Sequence, residues 1–270
     1  MTPKFSFKTN FKFGWKGFTG NLAPLGIFYL LALGINVLLV GLMGWVSQSP
    51  AVREGAAMPF LILILLYILF LLFNVLVWLA GYQISLRISQ KVKLSLSDIF
   101  PEMSTYFSFL GGSLVFSFLL ILAVSTLLVI PFLLRYILPT LRVEFFRLLY
   151  GIFFFLTFAA VFFFLTKFYF FGYFIEERKT PVLQSFFHSF ELTRGYSWKL
   201  LLHFLILYVP MILIIILSHY FIRSTEILFV IYTLTGFILF AMNIAIFGRV
   251  FRTLESVQKP PAGISISAIE

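Results

Sequence analysis

Along the chain, apolar and polar positions fall into two textures. Long, almost unbroken apolar runs occupy roughly residues 22–46, 59–84, 109–134, 148–174, 200–217 and 227–248. Shorter segments between them mix charge with apolar residues spaced at about 3.6. A helix crosses the hydrocarbon of a bilayer with about 20 mainly apolar residues, and each long run comes close to that length or exceeds it. Lipid offers no partner to an unpaired backbone group, so the runs must be helical. The two-residue alternation of a membrane β-barrel is absent. The pattern predicts an all-α, polytopic membrane helix bundle with six transmembrane helices. The first run starts only at Leu22, is long for a signal peptide and has no clear small-residue cleavage site, so it is expected to be retained.

The mixed segments predict a second kind of element. In TPVLQSFFHSFELTRG, Thr180 is placed to cap a helix and Pro181 to begin it. Val182, Leu183, Phe186, Phe187 and Phe190 form one face, while Gln184, Ser185, His188 and Glu191 form the other. Gly195 is placed to end the helix. Residues 181–194 are too short and too polar to cross a membrane. They are expected to lie in the interface with the Phe side down and the polar side toward water. Trp198 and Lys199 then fall at head-group level. Near the N-terminus, Phe7, Phe11, Trp15 and Phe18 make an aromatic stripe beside Lys8, Lys12 and Lys16, which recur every fourth residue. Gly14 and Gly17 weaken a helix there, and the F-x-F alternation leaves an extended strand open. Ahead of the third run, Leu96, Ile99, Phe100, Met103 and Tyr106 fall at helical spacing, with Ser95 and Asp98 as a capping box and Pro101 limiting where the helix starts. The chain thus reads as three units, residues 1–90, 91–179 and 180–270, each an interfacial segment followed by a hairpin of two spans. All three have one orientation, unlike the inverted repeats of many transporters.

Composition agrees. Hydrophobic residues make up 61% and charged residues 11%, with 38 Phe and a mean hydropathy of +1.05. A soluble domain carries about 25% charged residues, and so few could not cover its surface. The absence of cysteine excludes disulfides, thiolate metal sites and cysteine nucleophiles. The net charge of +10 changes the picture more. With the N-terminus inside, fourteen basic residues fall in cytoplasmic segments: Lys4, Lys8, Lys12, Lys16, Arg87, Lys91, Lys93, Arg178, Lys179, Arg194, Lys199, Arg249, Arg252 and Lys259. Five fall outside (Arg53, Arg135, Arg142, Arg147 and Arg223) and Lys167 lies within a span. This bias places the protein in the cytoplasmic membrane with both termini in the cytoplasm. The basic excess then points to anionic lipid as a partner. Without a soluble basic domain, nucleic acid is not expected.

The stretch YFIEERKTPVLQSFFHSFELTRGYSWKLL, about thirty residues, resembles a signature of prokaryotic six-helix membrane proteins. These are related to the membrane domain of glycerophosphoryl diester phosphodiesterases. The shared pattern is an acidic position after the fourth span, a serine-bearing helix, then Leu-Thr-x-Gly and an aromatic residue before the fifth span. Glu176 or Glu177, Ser185, Ser189, Leu192, Thr193, Gly195 and Trp198 match it. In the phosphodiesterases the catalytic domain is a separate soluble barrel, which these residues do not contain. The resemblance therefore implies a membrane bundle and not the hydrolase.

No catalytic set is legible. Glu176-Glu177 followed by Arg178 and Pro181 lacks the arginine spacing of a membrane metalloprotease and reads as solvated charge. His203 and His219 are sixteen residues apart, about 24 Å on a helix, too far to share an ion. No phosphate loop or nucleophile elbow is present, so no cofactor, metal or catalytic residue is assigned. Lys167 either snorkels to the inner surface or lines a polar path. Asn36, Asn74 and Asn243, in separate spans, either bond between helices or share one polar site. Ser113 with Ser117, and Ala241 with Ala245, suggest close-packing faces. Pro131 and Pro210 suggest kinks. The function expected is non-enzymatic: a scaffold or accessory component that binds anionic lipid, or an unknown protein partner, through Lys8, Lys12, Trp15, Lys16, Arg194, Trp198 and Lys199. The alternative is a permease or lipid translocator with a polar path near Lys167.

Overall fold

The structure, a computed structural model, describes residues 6–53, 57–90, 93–137, 143–222 and 224–258. Its α-helices are α1 (Phe7–Gly20), α2 (Leu22–Ser47), α3 (Pro50–Arg53), α4 (Ala57–Ser89), α5 (Tyr106–Ile137), α6 (Val143–Phe168), α7 (Phe171–Arg178), α8 (Val182–Leu192), α9 (Ser197–Phe221) and α10 (Thr225–Gln258). No strand occurs among the described residues. Six segments are long and apolar enough to span: Leu22–Ser47, Ala57–Ser89, Leu96–Leu127, Leu148–Arg178, Ser197–Phe221 and Ile227–Val257. The protein is an all-α polytopic membrane protein.

The helices outrun the apolar runs. α4 has 33 residues and α10 has 34, so each is about 50 Å long against a hydrocarbon core of about 30 Å. Their last turns, expected to lie beyond the spans at residues 84 and 248, stay helical to Ser89 and Gln258. Hydropathy falls there because Gln83, Ser85, Arg249 and Arg252 enter the sequence, yet protein neighbours keep the helices wound.

The chain forms two compact units, Met1–Phe107 with Leu205–Glu270, and Ser108–Phe204. In the first unit, α1 and α4 pack on α10, and α2 packs on α4. The contacts are close enough to exclude side chains. A Cβ on Gly17 would lie 2.7 Å from Ile88 Cγ2, and those on Gly14 and Gly248 would collide with Ile246 and the Ser85 backbone. The two glycines of α1 that weaken a helix by propensity are thus its docking points. Ala241 and Ala245 are fully buried. On α4 the burial is one-sided along the axis: Leu79, Ala80 and Ile84 are sealed, while Leu61, Ile64 and Leu65 stay more than half exposed, as lipid-facing residues do.

The segment before α5 differs from the single helix its spacing predicts. It forms two 3₁₀ turns, Leu96–Ile99 and Met103–Thr105, because Pro101 holds Phe100 in an extended conformation (φ −89°, ψ 121°). The predicted capping box is present, with the Ser95 N–H donating to Asp98 Oδ2 at 2.8 Å. Arg87 pairs with Asp98 at 2.7 Å, and the Leu94 N–H donates to Asn21 Oδ1 at 3.0 Å.

In the second unit the fourth span is not one helix. It breaks at Tyr169–Phe170, between α6 and α7. α9, by contrast, runs through Pro210, and α5 continues past residue 131. The close-packing point of α5 is Gly112, where a Cβ would sit 2.8 Å from the Phe171 ring; Ser117 is exposed.

Candidate functional site

Three sets of residues carry the candidate chemistry: the outer edge of α1, the α6–α7–α8 junction, and the polar residues inside spans.

Helical geometry sorts α1 into three strips. Asn10, Gly14 and Phe18 point inward, and the Phe18 ring meets Phe237 at 5.7 Å. Phe11 (39% exposed) and Trp15 (50%) form the next strip. Lys8, Lys12 and Lys16, all exposed, form the third. The aromatic stripe of the sequence is therefore divided, with Phe18 committed to the core. Buried Asn10, on the inward face, was not singled out by spacing. On another side, the Arg249 guanidinium lies 5.2 Å from the Phe13 ring.

The junction in the second unit is built from hydroxyls. Ser185, Ser189, Thr193 and Ser197 are spaced four apart, so they share one side of α8 and the turn after it. Ser185, Ser189 and Thr193 are wholly buried. This corrects the expectation that Ser185 faces water. The reason is the broken span. Where α6 stops, backbone groups lose their helical partners, and Ser189 supplies two. Its Oγ donates to the Lys167 carbonyl at 2.8 Å and accepts the Phe170 N–H at 3.2 Å. Thr193 and Ser197 bond carbonyls one turn back. Helix α8 starts one residue later than expected, with Pro181 rather than Thr180 at its cap. The Thr180 hydroxyl instead meets Ser185 Oγ at 2.6 Å.

Phenylalanines complete the junction. The Phe171 ring stacks on Phe186 at 4.8 Å and on Phe109 at 5.6 Å. The face expected to lie wholly in lipid is split: Phe186 is buried, whereas Leu183 (66%) and Phe187 (70%) stay exposed. Leu192 is buried, and Gly195 takes a positive φ of 80°, turning the chain toward α9. Glu176 is buried with Lys179 Nζ at 4.0 Å, and Glu177 is half-buried. Lys179 closes α7 at φ 53°, a left-handed position that glycine occupies at less cost. Arg194, Trp198 and Lys199 are exposed, and Lys199 Nζ lies 5.4 Å from the Tyr196 ring.

Within the spans, Asn74 Nδ2 donates to Asn36 Oδ1 at 2.9 Å, and both amides also donate to carbonyls one turn back. Asn243 bonds the hydroxyl of Tyr208. Pairing of this kind needs tertiary placement, and only the residue types were legible. Lys167 is buried, its Nζ 4.7 Å from the centre of the Phe190 ring. His203 is buried with Nδ1 2.7 Å from the Lys199 carbonyl. Among the described residues, no three His, Asp or Glu side chains gather as a metal site would require.

These features define a multi-pass integral membrane protein with short helices fastened beside its spans. No family model, no curated protein and no solved structure matches the chain.

Proposed function

We propose that this protein is a non-enzymatic scaffold or accessory component of the prokaryotic cytoplasmic membrane, with both termini in the cytoplasm, that engages anionic lipid through α1. The observation that carries the reading is the ordering of strips on α1. Glycine contacts hold one side against α10 and α4, leaving Phe11 and Trp15 beside three exposed lysines. An aromatic strip next to a lysine strip suits the boundary where acyl chains meet phosphates. A juxtamembrane basic cluster attracts acidic head groups within a Debye length. A protein partner on the same face belongs to this reading, as does the likeness to the membrane domain of glycerophosphoryl diester phosphodiesterases. A polar translocation path draws no support from the asparagines, whose amides are taken up by carbonyls, by each other and by Tyr208.

The test uses the full chain in proteoliposomes, with Trp45, Trp78 and Trp198 changed to Phe so that Trp15 reports alone. Brominated phosphatidylglycerol should quench Trp15 several-fold more effectively than brominated phosphatidylcholine. In the Lys8/Lys12/Lys16→Gln variant the two should become nearly equal. An unchanged preference in that variant would remove the basis of the proposal.

A further inference from the structure

Helix α8 carries three strips along its length. Ser185, Phe186, Ser189 and Leu192 are buried against the rest of its unit. Gln184, His188 and Glu191 form a second, polar strip. Leu183, Phe187 and Phe190, spaced four and three apart, form a third that is apolar and exposed.

The neighbouring span shows what covers this third strip. On α6, Phe145, Leu148, Ile152, Leu156 and Phe163 line up at helical spacing and are all exposed, the face that a span turns to acyl chains. That face ends beside α8. The Lys167 ammonium lies 5.9 Å from the centre of the Phe163 ring and 4.7 Å from that of Phe190, and the Phe168 ring meets Phe190 at 6.2 Å. Lys167 is itself buried in this seam, so its charge does not interrupt the apolar surface. The exposed strip of α8 is therefore continuous with the lipid face of α6.

Depth follows from the fastening. α6 has 26 residues, about 39 Å, enough to cross a hydrocarbon core of about 30 Å, so its end falls at one boundary of that core. Ser189 ties the middle of α8 to that end through the Lys167 carbonyl and the Phe170 N–H. The helix cannot roll its strip away without breaking those bonds. Its apolar side chains thus occupy the shallow acyl level, next to the head groups. Charge has little part in this contact. Between Glu176 and Lys199 three acidic residues stand with four basic ones, whereas α1 has three lysines and no acid. An inclusion confined to the shallow level takes area from head groups and leaves the space beneath it to be filled by tails. Lipids with small head groups and broad tails meet that demand best.

We propose that Leu183, Phe187 and Phe190 make α8 a shallow wedge in one leaflet, and that its ligand is lipid with a small head group, of the phosphatidylethanolamine class, selected by shape and not by charge. The proposal goes beyond the α1 reading and does not rest on it, since its residues and its driving force are separate.

The experiment uses the full chain in phosphatidylcholine proteoliposomes, with Trp15, Trp45, Trp78 and Trp198 changed to Phe and Phe187→Trp supplying the sole indole. Position 187 is exposed, so folding is not at risk. Phosphatidylethanolamine, phosphatidylcholine or phosphatidylglycerol, each brominated near the top of its acyl chains, is added at equal fraction. All three are expected to quench the indole, phosphatidylethanolamine about twofold more effectively than the other two, which should agree with each other. Adding Lys8/Lys12/Lys16→Gln to this chain should leave the pattern unchanged, so that failure of the α1 reading leaves the wedge standing and the reverse. Equal quenching by the three lipids would overturn selection by shape, and a preference for phosphatidylglycerol would replace it with charge. An indole quenched by aqueous iodide and not by acyl bromine would place the strip in water. An indole shielded from both would mean that protein covers it. Each of these results would overturn the proposal.

Discussion

Helices α1 and α8 are both short, amphipathic and fastened beside spans, but they are fastened by different physics. α1 is held by the absence of side chains: Gly14 and Gly17 let Ile246 of α10 and Ile88 of α4 approach closely, and dispersion does the rest. α8 is held by polar chemistry, Ser189 completing the hydrogen bonding of a broken helix. The difference teaches that a low-hydropathy segment at a membrane surface can be either a packed lid or a replacement for missing backbone partners. Burial fails to tell them apart, since Gly14 and Ser189 are both inward. What each inward atom meets does.

Close packing of the kind that holds α1 can be broken most sharply at Gly248, where α10 meets α4. A methyl group there meets the Ser85 backbone, which cannot swing aside as a side chain could. Gly248→Ala is expected to cost about 3 kcal/mol or more, the upper range for overpacking. Gly151→Ala, with nothing within 4 Å, should be neutral or mildly stabilising. Denaturation midpoints of the purified full chains would decide it, and equal midpoints for the two variants would refute the close-contact account of the α4–α10 seam against which α1 packs. The next effect is at Ser189. Ser189→Ala leaves a buried N–H and a buried carbonyl without that partner, at about 1–3 kcal/mol. Hydrogen exchange at the Phe170 amide should accelerate with it, whereas Ser185→Ala should leave that amide unchanged. The smallest effect tests a third fastening, Arg87 with Asp98. The Arg87 side chain is 39% exposed, so solvent screens the pair, and Arg87→Gln should cost less than about 1 kcal/mol. That loss should shrink as salt is raised. A loss as large as that at Ser189 would mean the pair is a principal anchor.

The spans were legible because hydrocarbon tolerates little else than an apolar helix, and the local box of Ser95 and Asp98 was legible because its two partners lie three residues apart. The break at Tyr169–Phe170 was not. Neither residue is a helix breaker, and the group that makes the break tolerable, Ser189, is 22 residues from Lys167. Periodicity put Ser185 on the wet side for the same reason, since a serine's preference cannot be read without knowing whether a carbonyl awaits it. Gly14 and Gly17 were read by propensity as weaknesses, and only tertiary contact turns them into attachment points. The residue types of Asn36, Asn74 and Asn243 were visible, but which of them bond to one another depends on helix rotation that no run of apolar residues encodes. The lysine spacing on α1 was visible at once, because three residues four apart need only a helix to align them.

The serine patch also bears on how the chain is made. Synthesis produces α6 and the Tyr169–Phe170 bend well before Ser189 leaves the ribosome. Until α8 arrives, the Phe170 amide and the Lys167 carbonyl at the foot of the fourth span lack the bonds that Ser189 makes to them. Completion of that span therefore depends on docking of the short helix, and a chain truncated before residue 189 and released from the ribosome should remain open to proteases at the bend.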